Sequence, residues 1–170
     1  TGLITGILSY FKYNDSRIEN IVERLIKIQN TDGSWYYDSK AGAEKYTFEN
    51  TLIILKGLRE YEKNNSNKEL LRSVKKGQEF ILKHRLFKDI KTNAIINKKW
   101  LLFSFPYYWF YDILVALDYF REVDNADDRL IDAIKIVKEK RNENGTWNLQ
   151  NEHKGKVFFE MEKVGKPSKW

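Results

Sequence analysis

An interval of 56 residues recurs along this chain and constrains its fold more than any other feature. Ile18, Ile21, Val22, Leu25 and Ile26 stand at i, i+3, i+4, i+7 and i+8, the single apolar face of an amphipathic helix, and Gln29 closes the pattern. One interval later come Val74, Gly77, Gln78, Ile81 and Leu82, ending at Arg85; the next brings Leu130, Ala133, Ile134, Val137 and Lys138, ending at Arg141. A repeated unit of this size cannot bury its apolar face by itself, so the copies must stack on one another or on a second layer.

The first copy leads into Gln29-Asn30-Thr31-Asp32-Gly33-Ser34-Trp35, and the third into Arg141-Asn142-Glu143-Asn144-Gly145-Thr146-Trp147. Glycine and tryptophan therefore match at an offset of 112, two intervals. The middle copy lacks Gly-x-Trp, and Arg85-Leu86-Phe87 opens a longer loop instead. Between these helices lie segments apolar on more than one side: Phe48, Leu52, Ile54, Leu55 and Leu58 in one, Tyr111, Leu114, Val115, Leu117 and Phe120 in another. A helix apolar around much of its circumference is packed on several faces, whereas the repeated set keeps a polar face for water. The pattern predicts an all-α fold in two layers. Outer helices are expected near residues 17–29, 73–85 and 129–141, and inner ones near 3–13, 47–62 and 107–121.

The length requires no second domain, so residues 1–170 read as one segment of about three inner-outer pairs. The chain opens inside an apolar helical pattern and stops just after Pro167, which suggests part of a longer protein. Thirty Lys and Arg face 24 Asp and Glu, a net charge of +6, but the two signs alternate without a basic stripe, which argues against nucleic-acid binding. No apolar run approaches the roughly 18 residues of a membrane span. The absence of cysteine excludes disulfides and thiolate metal sites and fits a cytoplasmic location.

The string from Ile18 to Trp35, with its Gln29-x-x-x-Gly33-x-Trp35, resembles the prenyltransferase and squalene oxidase repeat, or QW motif. Lys76-Gly77-x-x-Phe80-Ile81-Leu82 is similar to the opening of the same motif. Phe105-Pro106-x-x-Trp109-x-Tyr111-Asp112, Asp127-Asp128-Arg129-Leu130 and Gly165-Lys166-Pro167-Ser168-Lys169-Trp170 resemble squalene-cyclase-like proteins of unassigned activity. The resemblance implies an α/α toroid, the terpenoid cyclase and protein prenyltransferase architecture, of which this chain supplies a partial arc. Glycine would permit a tight turn after the outer helix, and Gln and Trp would cap free backbone groups.

The chemistry implied by such relatives meets obstacles in the residues. No Asp-x-Asp-Asp acid for class II cyclisation is present, since Asp124-Asn125-Ala126-Asp127-Asp128 has the wrong spacing and reads as helix capping. A prenyltransferase zinc site would need cysteine, and the two histidines, His84 and His153, read as surface residues. No metal or cofactor is therefore expected. What remains is aromatic density before the inner helices. Trp35, Tyr37, Tyr46, Trp100, Phe105, Tyr108, Trp109 and Tyr111 are candidates to line a pocket for an apolar small molecule, with Asp112 the candidate catalytic acid at its mouth. The competing expectation is that the rings are packing and Asp112 a helix cap. Three functions stay open: an enzyme or binder of an isoprenoid-like or other apolar ligand, a non-catalytic protein-interaction scaffold, and a carbohydrate-processing toroid with paired acids. An incomplete arc with exposed apolar edges also predicts a homo-oligomer.

Overall fold

The computed structural model describes residues 1–13, 15–36, 47–124, 126–153, 155 and 158–169. These form α-helices joined by loops and short 3-10 turns, with isolated bridges and no strand among the described residues. The helices are α1 (Gly2–Tyr10), α2 (Ser16–Lys27), α3 (Thr47–Glu62), α4 (Lys68–Lys83), α5 (Ile113–Glu122) and α6 (Ile131–Glu139). None is long and apolar enough to cross a membrane. The chain divides into two compact units, Thr1–Leu82 and Lys83–Trp170.

In the first unit the expected periodicity becomes burial. Helix α2 buries Ile18, Val22 and Leu25, and α4 buries Leu70, Val74, Gly77, Ile81 and their neighbours, each leaving its charged side to water. Helix α3 buries residues around most of its circumference, from Phe48 and Leu52 to Leu55, Leu58 and Tyr61, as a helix packed on several faces should. The helix starts follow their caps: Asp15 Oδ1 accepts from the Arg17 N–H, and Asn67 Oδ1 accepts from the Leu70 N–H at 2.8 Å. Helix α4 consequently begins at Lys68, earlier than the apolar face implied.

Helix α1 departs from the inner-helix expectation. It buries Gly2, Thr5 and Ser9 and turns Leu3, Ile4 and Ile7 outward. Its small residues lie against α3 because the two backbones nearly touch. A Cβ at Gly57 would run into the Gly2 carbonyl oxygen, and one at Gly6 would stand 3.3 Å from the Gly57 Cα. Glycine is required there by proximity.

In the second unit the core gathers Leu86, Phe87, Trp100, Phe103, Tyr111, Ile113, Ala116, Tyr119, Phe120 and Ala133. The segment expected to be helical from residue 107 starts only at Ile113, because Tyr108 has φ +51° and Asp112 is extended and caps the helix. Helix α6 is preceded by a 3-10 turn, Asp128–Leu130, capped by Asp127, whose carboxylate accepts from the Arg129 N–H at 2.9 Å. The capping expected of Asp127 and Asp128 is present.

Candidate functional site

Gln29, Gly33 and Trp35 form a corner after α2. The last turn of a helix leaves carbonyls without partners, and the Trp35 indole Nε1 donates to one of them, Leu25 O, at 2.8 Å. Gln29 Nε2 donates to Gly33 O at 2.8 Å and to Ser73 O at 2.9 Å, while Ser73 Oγ donates back to Gln29 Oε1. Gln29 thereby joins α2 to α4. Gly33 has φ +95° and lies on the Lys76 carbonyl, where any Cβ would collide. Trp35 is 2% exposed and lies over Gly77, whose added Cβ would stand 2.7 Å from Cζ3 of the indole.

The third copy repeats this corner. Trp147 Nε1 donates to Val137 O at 2.7 Å, Arg141 Nε to Gly145 O at 3.2 Å, and Asn142 Nδ2 to Thr146 Oγ1 as Asn30 Nδ2 does to Ser34 Oγ. Asp32 and Asn144 each accept from the backbone and hydroxyl two residues on, turns that Asx side chains favour. The middle copy has another solution: Arg85 and Leu86 both take positive φ, and Arg85 reaches Asp132 of α6 at 3.1 Å, joined by Lys88 at 2.6 Å. The two cations, Lys88 first, hold the Asp132 carboxyl below its ordinary range.

Asp112 is the N-cap of α5. Its Oδ1 accepts from the Val115 N–H at 2.8 Å, and the residue is 3% exposed. Lys140 lies near enough to feel its charge. The ammonium donates to Leu101 O and, at 2.6 Å, to Gln150 Oε1, and stands 4.7 Å from the centre of the Phe103 ring. Burial lowers the Lys140 pKa, and the Asp112 carboxylate opposes that shift. This cluster ties the end of α6 and the loop after it to the segment that leads into α5.

The aromatic candidates separate into three groups. Trp35, Trp100 and Tyr111 are packing residues; Trp100 meets Tyr111 edge-on at 4.9 Å, and the Tyr111 hydroxyl donates to Leu86 O at 2.7 Å. Phe105 is half-buried, whereas Tyr108 and Trp109 lie on the surface, Trp109 being 47% exposed. Tyr37 and Tyr46 lie outside the described residues. Trp109 stacks on Phe110 at 4.2 Å, and Phe110 on His153 at 3.7 Å. His153, expected at the surface, is thus half-buried on a ring, and burial lowers its pKa. His84 follows α4, with Nδ1 2.9 Å from Lys88 O.

Compared with known proteins, the chain matches no family model, no curated protein and no solved structure. The first unit carries two clefts that no local sequence pattern marks. One, of about 720 Å³, runs between α2 and α4 and is lined by Glu19, Glu23, Lys27, Tyr61, Arg72 and Lys76 among others. The other, of about 230 Å³, is lined by Ser9, Lys12, Glu19, Tyr61, Asn64 and Asn65 with three further residues. Burial first, then Glu19 and Glu23, pushes the Tyr61 phenol up. Among the described residues, none of the sequence-predicted site residues lines either cleft. Among the described residues no group of His, Asp and Glu is arranged to hold a metal ion.

Proposed function

We propose that this chain is an arc of an α/α toroid serving as a non-catalytic interaction scaffold, and that it associates with a second copy through α1. The observation that carries the reading is the orientation of α1. Leu3 is 63%, Ile4 54% and Ile7 49% exposed, and Tyr10 and Phe11 continue the same apolar surface. A patch of this kind, with no charged residue between Gly2 and Tyr10, is an association surface rather than ordinary solvent-facing helix. The face is also self-complementary. About a two-fold axis at Ile7, an antiparallel copy of the helix sets Leu3 against Phe11, Ile4 against Tyr10 and Ile7 against itself. Against catalysis stand Asp112, which caps a helix from a buried position, and Trp35, Trp100 and Tyr111, which are packing residues.

Light scattering at roughly tens of micromolar, a range that suits modest apolar association, tests this reading. A dimer is expected, with Ile7→Lys giving a monomer of unchanged helical content. A monomeric parent chain ends the proposal.

A second reading, an apolar or sugar ligand, is supported by the stack of Trp109 on Phe110 and His153 beside exposed Tyr107 and Tyr108. Aromatic faces of this kind suit apolar rings and the C–H faces of sugars. Saturable quenching of tryptophan fluorescence by an isoprenoid alcohol or an oligosaccharide, lost in Trp109→Ala, would favour it over the scaffold.

A further inference from the structure

The three repeat copies end in Gln29, Arg85 and Arg141, and what the first two touch indicates what the third would accept. Gln29 is a neutral donor and acceptor, and its helix partner is Ser73, through both hydroxyl and carbonyl. Arg85 is a cation, and its helix partner is the carboxylate of Asp132. The receiving helices also correspond. Gly77 of α4 lies beneath Trp35, and Ala133 of α6, one interval later, is fully buried. Lys76 precedes the first and Asp132 the second. The Trp35 corner thus receives a helix at a glycine, and the Arg85 guanidinium receives one whose acid stands just before a buried small residue.

The third corner combines both demands. Arg141 has the charge of Arg85, and Trp147 has the flat indole of Trp35 that requires glycine beneath it. Gly33, Ser34 and Trp35 are buried, whereas Gly145, Thr146 and Trp147 are only half-buried and Arg141 is exposed. The guanidinium lies 5.4 Å from the centre of the Trp147 ring and uses Nε on its own turn. Its terminal nitrogens donate to no described residue, leaving bidentate recognition of a carboxylate open to it.

We propose that the Arg141–Trp147 corner is a docking site for an amphipathic α-helix presenting an acid immediately followed by glycine. The glycine lies under the Trp147 indole, and the acid pairs with Arg141. The surface belongs to the second unit, whereas the α1 face belongs to the first.

The probe is a synthetic peptide with the sequence of residues 66–85 carrying Lys76→Asp, titrated into the whole chain labelled with 15N at its tryptophan indoles. A saturable shift of the Trp147 indole resonance is expected. The peptide with native Lys76 should bind about fivefold more weakly, the scale of a well-formed exposed ion pair. Adding Gly77→Leu to the first peptide should abolish binding. In the Arg141→Glu protein the preference should reverse toward the native-Lys76 peptide, a rescue that loss of folding cannot imitate. The proposal is overturned if the Trp147 resonance does not move, or if binding ignores both peptide substitutions, as unspecific apolar contact would. It is equally overturned if the resonance shifts with protein concentration alone, which would assign the corner to a second copy.

Discussion

Trp147 donates its indole proton to the Val137 carbonyl at 2.7 Å, ten residues back, as Trp35 does to the Leu25 carbonyl at 2.8 Å. Both acceptors lie in the last turn of a repeated helix, where carbonyls lack intrahelical partners. Each ring therefore finishes the helix that precedes it. The surroundings differ, since Trp35 is buried beneath α4 and Trp147 is half-buried.

This difference sets unequal costs. Trp35→Ala should destabilise the chain by about 3–5 kcal/mol, the range for deleting a large buried aromatic. Trp147→Ala leaves less of a cavity and should cost clearly less. Urea unfolding followed by circular dichroism measures both. Equal losses would mean that Trp147 is as tightly packed as Trp35.

Asp112 distinguishes a cap from a catalytic acid. Asp112→Asn keeps an acceptor for the Val115 N–H and should change stability by a few tenths of a kcal/mol, whereas Asp112→Ala should cost about 1–2 kcal/mol. Thermal melts of the two variants decide the matter, because an equal, large loss in both would assign the effect to the charge facing Lys140.

Asp127 supplies an acid-sensitive contribution. The Arg129 side chain is the main cause of its pKa falling to about 2, below the ordinary carboxylate value of 3.8. Between those values the unfolded chain binds the proton more readily than the folded one, so stability rises with pH across this window. The contribution is complete above about pH 4 and fades as pH falls toward 2. Asp127→Asn, which still caps, should therefore flatten the stability profile between pH 4 and 2 relative to the parent. Parallel profiles would remove the linkage.

Gly57 holds the crossing of α1 and α3. Alanine there gains up to about 1 kcal/mol of helix propensity but forces its methyl into the Gly2 carbonyl, an overpacking that costs about 1–3 kcal/mol or more. Hydrogen exchange should show α1 losing protection before α3. A stabilised Gly57→Ala variant with α1 still protected would contradict the close approach.

The repeat was legible because helical burial repeats with a fixed period. Ile18, Val22 and Leu25, then Val74 and Ile81, mark their helices by spacing alone, and glycine at positions 33 and 145 announces the turns through the positive φ they adopt. Cap residues were legible too, as Asp127 illustrates, since a short acceptor before a helical pattern has few other uses. Ser73 and Asp132 as partners of Gln29 and Arg85 were not, because a long-range hydrogen bond leaves no local pattern. Which aromatic candidates are packing residues was not legible for a similar reason. Composition counts rings, but whether Trp100 fills a core and Trp109 faces water depends on the loop between them, with its left-handed Tyr108.

The sequence by itself determined the all-helical class, the order of the helices and the corners that end the first and third repeats, because these follow from local periodicity and turn chemistry. Only the tertiary structure decided that α1 packs by Gly2 and faces Ile7 to solvent, and that Asp112 is a buried cap. It also decided that the Arg141 corner is only half-buried where its twin is covered. Spacing states which residues share a face; only a neighbouring helix determines whether that face is buried.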